Sequence, residues 1–487
     1  MKHLLFRADG SSEVGLGHLY RMFALLELFK DRFSCTLITS SATSADVIPD
    51  AYACANIPPH ITLEEEPAWL AEHYAPERYR IIADGYGFTA SYQQALKALN
   101  YHLTYIDDLF REHMYADIVI NHALTARASD YHAEPYTRFA LGTSYAILRP
   151  AFLEAAKAER RVEQISTVFV CFGGADPFDL TLKATQAVLA FQDIKTIHIV
   201  IGAAYTHQAV LLLDPSGSRV RIHKNLNEQQ LVSVMKSCDF AIASASTILY
   251  ELCSVKMPVF AGYYVENQKH LYQGCLDNKL IFEGGNLEHS SVQDFEKNIE
   301  KVFRESDYSP QLQAQARFFD AHIRERFLDL FAEISYRKAS ANDMLLVYEW
   351  ANDKLSRENS YFTEPIALET HKGWYERKIV DPSALIYIAE VNGVPAGLVR
   401  YEAGQDHTVV GVSVAESFRG KGLAPEFLKA TAQLYFKDHQ LPVHAFIKKQ
   451  NLASVRSFEK AGYQKLREEL VHGADSFVYK LEKHDVQ

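Results

Sequence analysis

Asp9-Gly-Ser-Ser-Glu-Val-Gly-Leu-Gly-His-Leu-Tyr-Arg21 is the stretch whose reading decides the fold of the first half of this chain. A short apolar run, His3-Leu-Leu-Phe6, leads into it, and the apolar residues of Met22-Phe-Ala-Leu-Leu-Glu-Leu-Phe29 suit a helix beyond it. Strand, glycine loop and helix is therefore the local reading, with Gly15 and Gly17 where the turn is tightest. Such a loop turns backbone N–H groups and a helix N-terminus towards an anionic group. His18 stands at the helix start and Arg21 follows one turn later. A neutral imidazole is a good general base near physiological pH. A tight turn whose histidine only caps the helix would leave the same pattern.

Working outward, 487 residues are too many for one core and enough for about three domains. Hydrophobic residues make up 48% and charged residues 23%, the balance of a folded globular protein rather than a disordered one. A net charge of −11 disfavours a nucleic-acid partner and an anionic membrane surface. No apolar run approaches twenty residues and no leader pattern opens the sequence, so a cytoplasmic location is expected. The six cysteines contain no Cys-x-x-Cys pair and the twenty histidines no His-Glu-x-x-His, so neither disulfides nor a metal is expected.

Beyond the opening helix, Cys35-Thr-Leu-Ile-Thr39, Arg80-Ile-Ile-Ala83, Leu103-Thr-Tyr-Ile106 and Asp117-Ile-Val-Ile120 read as buried parallel strands. Ala83-Asp-Gly-Tyr-Gly87 and Ile106-Asp-Asp-Leu109 put acidic residues at strand C-termini, where open α/β sheets bind ligands. Each such Asp taken singly reads more readily as a turn or cap residue. Tyr145-Ala-Ile-Leu-Arg-Pro150 reads as a crossing strand that Pro150 ends.

The grammar restarts at Ser166-Thr-Val-Phe-Val-Cys-Phe-Gly-Gly-Ala-Asp176, a strand running into Gly173 and Gly174 with a helix from about Phe178. Ile197–Gly202, Phe240–Ala243 and Met257–Phe260 are further strands. In Ser244-Ala-Ser-Thr-Ile-Leu-Tyr-Glu251 a strand ends in small residues, and Ser246 and Thr247 can cap the helix that follows. Its dipole would favour a phosphate, and Glu251 one turn in could reach a ribose diol. Asn267 and Gln268 open the helix after the next strand.

Together, Arg7-Ala-Asp9, Gly15-Leu-Gly-His-x-x-Arg21, Phe172-Gly-Gly-Ala-Asp176, Ser246-Thr-x-x-x-Glu251 and Glu266-Asn-Gln268 resemble the nucleotide-sugar hydrolases of pseudaminic acid biosynthesis. The resemblance spans roughly residues 1–330 and implies two Rossmann-like domains of glycosyltransferase-B type, 1–150 and 151–334. It implies that His18 activates a water at the anomeric carbon and that Asn267 sits beside the sugar or that water. Asp9, Gly15, Gly17, Arg21, Gly173, Gly174, Ser246, Thr247, Glu251 and Gln268 would then form the substrate site, with Glu251 on the ribose and Ser246 and Thr247 on the phosphates.

After a charged helical stretch, Ser335-Tyr-Arg-Lys-Ala-Ser-Ala341 reads as a polar linker, and the grammar changes. Asp343–Trp350 and His371–Arg377 suit amphipathic helices, and Ala384–Tyr401 reads as a hairpin about an Asn392-Gly393 turn. The strand Val409–Val414, with Val412 and Val414, then feeds Arg419-Gly420-Lys421-Gly422-Leu423-Ala424 and a helix. This loop, the block from Asn451 to Tyr463 and the hairpin resemble the coenzyme-A site of the GNAT acetyltransferases. The resemblance implies an α+β acetyltransferase domain over 335–487 that uses acetyl-CoA. Phe458 stands where many of these enzymes carry the tyrosine that protonates the departing thiolate. Glu390, Glu416 and His444 are candidates for the base that serves the acceptor amine.

The pairing suggests one chain running two consecutive steps. In the family's route a UDP-4-amino sugar is N-acetylated from acetyl-CoA, and UDP is then removed. The expectation is therefore a bifunctional enzyme acting on a UDP-4-amino-4,6-dideoxy-N-acetyl-altrosamine. A glycosyltransferase, an enzyme acting on another UDP-amino sugar of surface polysaccharide synthesis, and a non-catalytic sensor are the competing readings.

Overall fold

The computed structural model describes residues 3–10, 16–43, 47–202, 204–214, 218–305 and 307–486. Two compact units divide it, Met1–Leu328 and Asp329–Gln487.

The first unit holds two parallel sheets. The first is built from β1 (His3–Ala8), β2 (Ser34–Ser40), β3 (Cys54–Ile57), β4 (Tyr79–Asp84) and β5 (His102–Ile106). The two-residue strands β6 (His113–Met114) and β8 (His132–Ala133) pair aside, while β7 (Ile118–Asn121) and β9 (Arg138–Leu141) complete the main sheet. Its order is β3-β2-β1-β4-β5-β7-β9. Leu4, Leu5 and Phe6 of β1 are wholly buried, because a central parallel strand is covered on both faces. From β1 the chain winds one way through β2 and β3, and from β4 the other way, so a switch point lies between β1 and β4. Open α/β sheets bind ligands at that crevice. The helix α1 (Gly17–Phe29) follows β1 and buries Leu19, Met22, Leu25, Leu26, Leu28 and Phe29. Helices α2 (Glu66–His73) and α3 (Ala90–Ala98) flank β4 in the chain.

The second sheet contains β10 (Thr167–Cys171), β11 (Thr196–Ile201), β12 (Val220–Lys224), β13 (Phe240–Ser244), β14 (Val259–Tyr263) and β15 (Phe282–Asn286) in the order β12-β11-β10-β13-β14-β15. Its switch point falls between β10 and β13 by the same winding argument. Helices α4 (Pro150–Ala155), α5 (Leu180–Leu189), α6 (Glu228–Ser237), α7 (Thr247–Ser254), α8 (Lys269–Asp277), α9 (Val292–Phe303), α10 (Ser309–Phe318) and α11 (Ile323–Leu330) accompany it. The expected strand at 145–150 is absent: Pro150 opens α4, where its missing N–H costs no helical hydrogen bond.

The second unit is a seven-stranded sheet of β16 (Ile334–Lys338), β17 (Ala384–Val391), β18 (Val394–Ala403), β19 (Thr408–Val414), β20 (Val443–Lys448), β21 (Gln464–Val471) and β22 (Ala474–Leu481), ordered β16-β17-β18-β19-β20-β22-β21. The stretch 335–341 is thus no simple linker. Its first residues form β16, antiparallel to β17, because Ile334 and Tyr336 pack on the sheet core while Ser335 and Arg337 face Glu390. Asn392 and Gly393 turn the β17–β18 hairpin with φ of 52° and 78°, the left-handed pair such a turn demands. Helices α12 (Met344–Asn352), α13 (Lys354–Asn359) and α14 (Leu368–Val380) precede β17, α15 (Leu423–Asp438) joins β19 to β20, and α16 (Leu452–Lys460) precedes β21. Among the described residues no helix is long and apolar enough to cross a membrane.

Candidate functional sites

The switch point of the first sheet carries the first candidate centre. His18 lies in the first turn of α1 and is 5% exposed. Its Nδ1 is 2.7 Å from Oδ1 of Asp84, the wholly buried last residue of β4. Arg21, one turn along α1, donates from Nε to Asp84 Oδ2 at 2.7 Å and from Nη2 to Asp84 Oδ1 at 2.8 Å. Its Nη1 donates to Asp108 Oδ2 at 3.0 Å. Burial alone would lower the Arg21 pKa, but Asp84 and Asp108 outweigh it and raise it. His18 Nδ1 meets an acceptor, Asp84 Oδ1, and, at 2.8 Å, a donor, Arg21 Nη2; in the tautomer that donates to Asp84, Nε2 is left with a lone pair. The Tyr86 ring meets the imidazole edge-on at 4.7 Å and closes one side.

Asp9 is placed differently from His18. Its Oδ1 accepts from Arg7 Nη1 at 2.6 Å, from the Ser40 N–H at 2.7 Å and from Thr39 Oγ1 at 3.2 Å. Buried Arg7 in turn grips Glu66 through Nε at 2.6 Å and Nη2 at 2.8 Å. Asp9 thus ties the end of β1 to the end of β2 beside the glycine loop. Burial would raise its carboxyl, but Arg7 and Ser40 hold it below the usual carboxylate range. Gly17 is the first residue of α1, and Gly15 lies outside the described residues.

The second sheet offers a complementary rim. Gly173, with φ of 91°, and Gly174 follow β10, and a Cβ on neighbouring Gly202 would come within 2.5 Å of the Gly174 Cα. The backbones of these two loops therefore approach as only glycine permits. Asp176 accepts from the N–H groups of Leu180 and Thr181 at 2.9 and 2.8 Å and caps α5. Ser246 occupies the N-cap of α7 and Thr247 its first turn, yet the Ser246 side chain makes no capping bond. Its hydroxyl lies 3.3 Å from that of Ser244. Gln268 accepts from the Tyr264 N–H at 3.1 Å, and Asn267 is exposed.

Two contacts bring the rims together. Arg149 donates to Glu251 Oε1 from Nε at 3.0 Å and Nη2 at 2.6 Å. Burial pushes the Glu251 carboxyl up against the pull of Arg149. Tyr250 donates its hydroxyl to the His122 carbonyl at 2.8 Å, and its ring meets the imidazole edge-on at 5.2 Å. His122 Nδ1 accepts from the Ile147 N–H at 3.2 Å, which fixes a neutral imidazole with its proton on Nε2. Burial, reinforced by the positive charge of Arg21, lowers its pKa to about 4.

The second unit carries a cavity of about 1080 Å³. Strands β19 and β20 pair in parallel only at Thr408–Val443 and Val409–His444, and the residues beyond, Val410 to Val414 and Ala445 to Lys448, line the space between them. Gly420 and Gly422 hold φ of 78° and 73° at the start of α15, a left-handed turn open to glycine. Val412, Val414, Arg419, Gly420, Gly422, Leu423, Ala424, Asn451 and Phe458 all line the cavity. Lys421 instead reaches Asp329 at 3.2 Å and lies outside the lining. Arg419 donates to Asp353 at 2.5 Å and to the Val414 carbonyl at 3.0 Å, so it braces the loop. Asn451 caps α16 by accepting from the Ser454 N–H at 3.2 Å. A glycine-cradled helix start beside a cavity of this size fits a pyrophosphate-bearing ligand such as acetyl-CoA.

The three candidate bases stand elsewhere. Glu390 accepts from Arg337 at 2.7 Å, His444 stacks on His407 at 4.3 Å, Glu416 lies beside Arg419 in a smaller pocket, and none of them lines the large cavity. Arg149, His122 and His371 are functional candidates that sequence reading passed over, and Asp84 reads there more readily as a turn or cap residue. Asp84 alone had a signal, its place at a strand C-terminus. Arg149 and His122 depend on partners 102 and 25 positions away that spacing does not reveal, and His371 on its place in the cavity wall.

The chain joins a region like the nucleotide-sugar hydrolases, built of two Rossmann-like sheets, to a GNAT acetyltransferase domain. Residues 334–464 match the acetyltransferase (GNAT) domain family. The chain is 28% identical over 275 residues to the UDP-2,4-diacetamido-2,4,6-trideoxy-beta-L-altropyranose hydrolase of Campylobacter jejuni, covering 55% of this chain and 93% of that protein. It is 28% identical to the spore coat polysaccharide biosynthesis protein SpsG of Bacillus subtilis over 55% of this chain and 78% of that one. An uncharacterized protein of Methanocaldococcus jannaschii is 22% identical over 94% of this chain and 96% of its own length. Among solved structures, an aminoglycoside acetyltransferase bound to coenzyme A and kanamycin covers 31% of this chain and 96% of its own at 20% identity and a TM-score of 0.29.

Proposed function

We propose that this chain transfers an acetyl group from acetyl-CoA to the 4-amino group of a UDP-4-amino-4,6-dideoxy-N-acetyl-altrosamine and then hydrolyses the product to UDP and 2,4-diacetamido-2,4,6-trideoxy-L-altropyranose. The observation that carries the hydrolytic half is His18, buried at a helix start with Asp84 on its Nδ1. That contact leaves Nε2 to take a proton from the attacking water, and Asp84 stabilises the imidazolium that forms. The anomeric C–O bond breaks and UDP departs towards Gly173, Gly174 and the start of α7. Ser246, Thr247 and the N–H groups of that helix meet the phosphates, Glu251 the ribose and Asn267 the sugar. Gly17 and Arg21 shape the loop that carries His18.

Acetyl-CoA supplies the acetyl thioester in the second unit. Gly420, Gly422, Leu423 and Ala424 would hold its pyrophosphate, with Val412 and Val414 along the β19 edge and Asn451 and Phe458 opposite. Arg357, Arg377, Arg400 and Lys448 line the same cavity with Trp374, Tyr361 and Phe362, a lining suited to an anionic acceptor that carries an aromatic base. The test is a mass-spectrometric time course on the UDP-4-amino sugar with and without acetyl-CoA. One added acetyl group that requires acetyl-CoA, followed by UDP and free diacetamido sugar, is the expected sequence. Acetyl gain without UDP release would remove the hydrolytic half, and no reaction would send the assignment to another nucleotide-linked amine.

A further inference from the structure

His371 on α14 lines the acetyltransferase cavity, is 3% exposed, and has no hydrogen-bond partner on Nε2. A buried imidazole nitrogen without a partner in a cavity wall needs a reason, because its desolvation is uncompensated. The ring is held rigidly by aromatic neighbours: Tyr348 of α12 at 5.4 Å, and Trp374 and Tyr375 of α14 at 5.3 and 6.2 Å. Charges of both signs line the cavity, with Glu364 the acidic one among several cations. Arg357 of α13, Arg377 of α14 and Arg400 of β18 line the same cavity, Arg400 lying over the Trp374 ring at 5.4 Å. From β17 the apolar Ile386 lines the same cavity.

We propose that His371 is the proton acceptor for the attacking amine of the acetyl acceptor. The assignment rests on the acetyltransferase reading given above. An amine arrives as an ammonium and can attack only after losing a proton. His371 takes that proton, and the freed lone pair forms the C–N bond as the thioester C–S bond breaks. The departing sulfur leaves with the second nitrogen proton as the thiol, and the imidazolium returns its own proton to solvent. Burial first, and Arg357 second, lower the imidazole below the 6.5 of a free histidine, which keeps it unprotonated and ready at neutral pH.

The test uses the full chain, acetyl-CoA and the UDP-4-amino sugar, with His371→Gln and His371→Phe compared with wild type. Transfer at pH 7 is expected to fall about 100-fold in both variants, with coenzyme-A affinity unchanged. Wild-type kcat/KM should stay level above pH 6.5, whereas in the variants it should climb about tenfold per pH unit as solvent alone frees the amine. A second readout needs no turnover: the pH titration of Trp374 fluorescence should show a step below pH 6.5 that vanishes in His371→Gln. Variants with the wild-type rate and a level profile would overturn the assignment while leaving the acetyltransferase standing. No acetyl transfer by the wild type would overturn the acetyltransferase reading and this assignment with it.

Discussion

The imidazole of His18 and the carboxylate of Asp84 face each other at 2.7 Å across the boundary between β1 and β4, on residues 66 positions apart. The two sit where the winding of the first sheet reverses, and Arg21 holds the second oxygen of Asp84. The imidazole proposed as base, the carboxylate that contacts it and the cation that holds that carboxylate thus come from one helix and one strand end.

Removing the base should stop UDP release. His18→Ala is expected to lower kcat for hydrolysis by about 100- to 10,000-fold with little change in substrate affinity. Asp84→Asn should lower kcat as well, because an amide can donate to Nδ1 and move the imidazole proton to Nε2. Chromatographic measurement of UDP from the diacetamido substrate checks both, and acetyl transfer should be untouched in each variant.

Glu251 gives a different signature. Glu251→Gln keeps the shape but removes the carboxylate that Arg149 and the proposed ribose share, so KM should rise more than kcat falls. Arg149→Met leaves Glu251 buried and uncompensated, at a cost of about 3–5 kcal/mol by denaturant titration. Equal stability of the two variants would contradict the pairing.

Gly422 tests the coenzyme cradle. At φ of 73°, Gly422→Ala places a Cβ in the left-handed region at a cost of about 1–2 kcal/mol. A Cβ there meets no neighbour, so the penalty falls on backbone conformation alone. Acetyl-CoA binding measured by calorimetry should weaken about 5- to 30-fold, with UDP release unchanged.

Buried histidines set an acid limit on the first unit. His122 titrates at about 4 in the folded chain against 6.5 unfolded, and His102, lowered by burial to about 4, acts in the same direction. As pH falls through 6.5 the unfolded chain takes up protons that the native imidazoles refuse, so stability is full above that pH and declines towards 4. Each imidazole contributes about 1.4 kcal/mol per pH unit across that window. His122→Gln retains an acceptor for the Ile147 N–H, and urea titrations from pH 7 to 4.5 should show a shallower decline in that variant.

The sheets, glycine turns and hairpin were legible because each rests on local periodicity and turn chemistry. Gly420 and Gly422 take left-handed conformations at the helix start that their loop is read to open, and Asn392-Gly393 turns the hairpin. What stayed hidden depends on distant partners. Asp84 looked like one more residue after a strand, and only the adjacency of β1 and β4 brings it to His18. Residues 335–338 read as a linker because an edge strand of five residues, with Ser335, Arg337 and Lys338 polar, carries little pattern of its own. His371 drew no notice within its helix, since the lack of a hydrogen-bond partner on its Nε2 is a property of the cavity wall.

The early parting of β19 and β20 has a consequence for how a ligand is read. Two strands that separate after two paired residues leave main-chain amides and carbonyls of β19 facing a hollow instead of a neighbour. An extended guest with amide groups of its own could lie there as a transient extra strand, held by atoms that every residue possesses. Affinity for such a guest would survive wide side-chain drift along β19, and discrimination among acceptors would fall to the side-chain wall opposite.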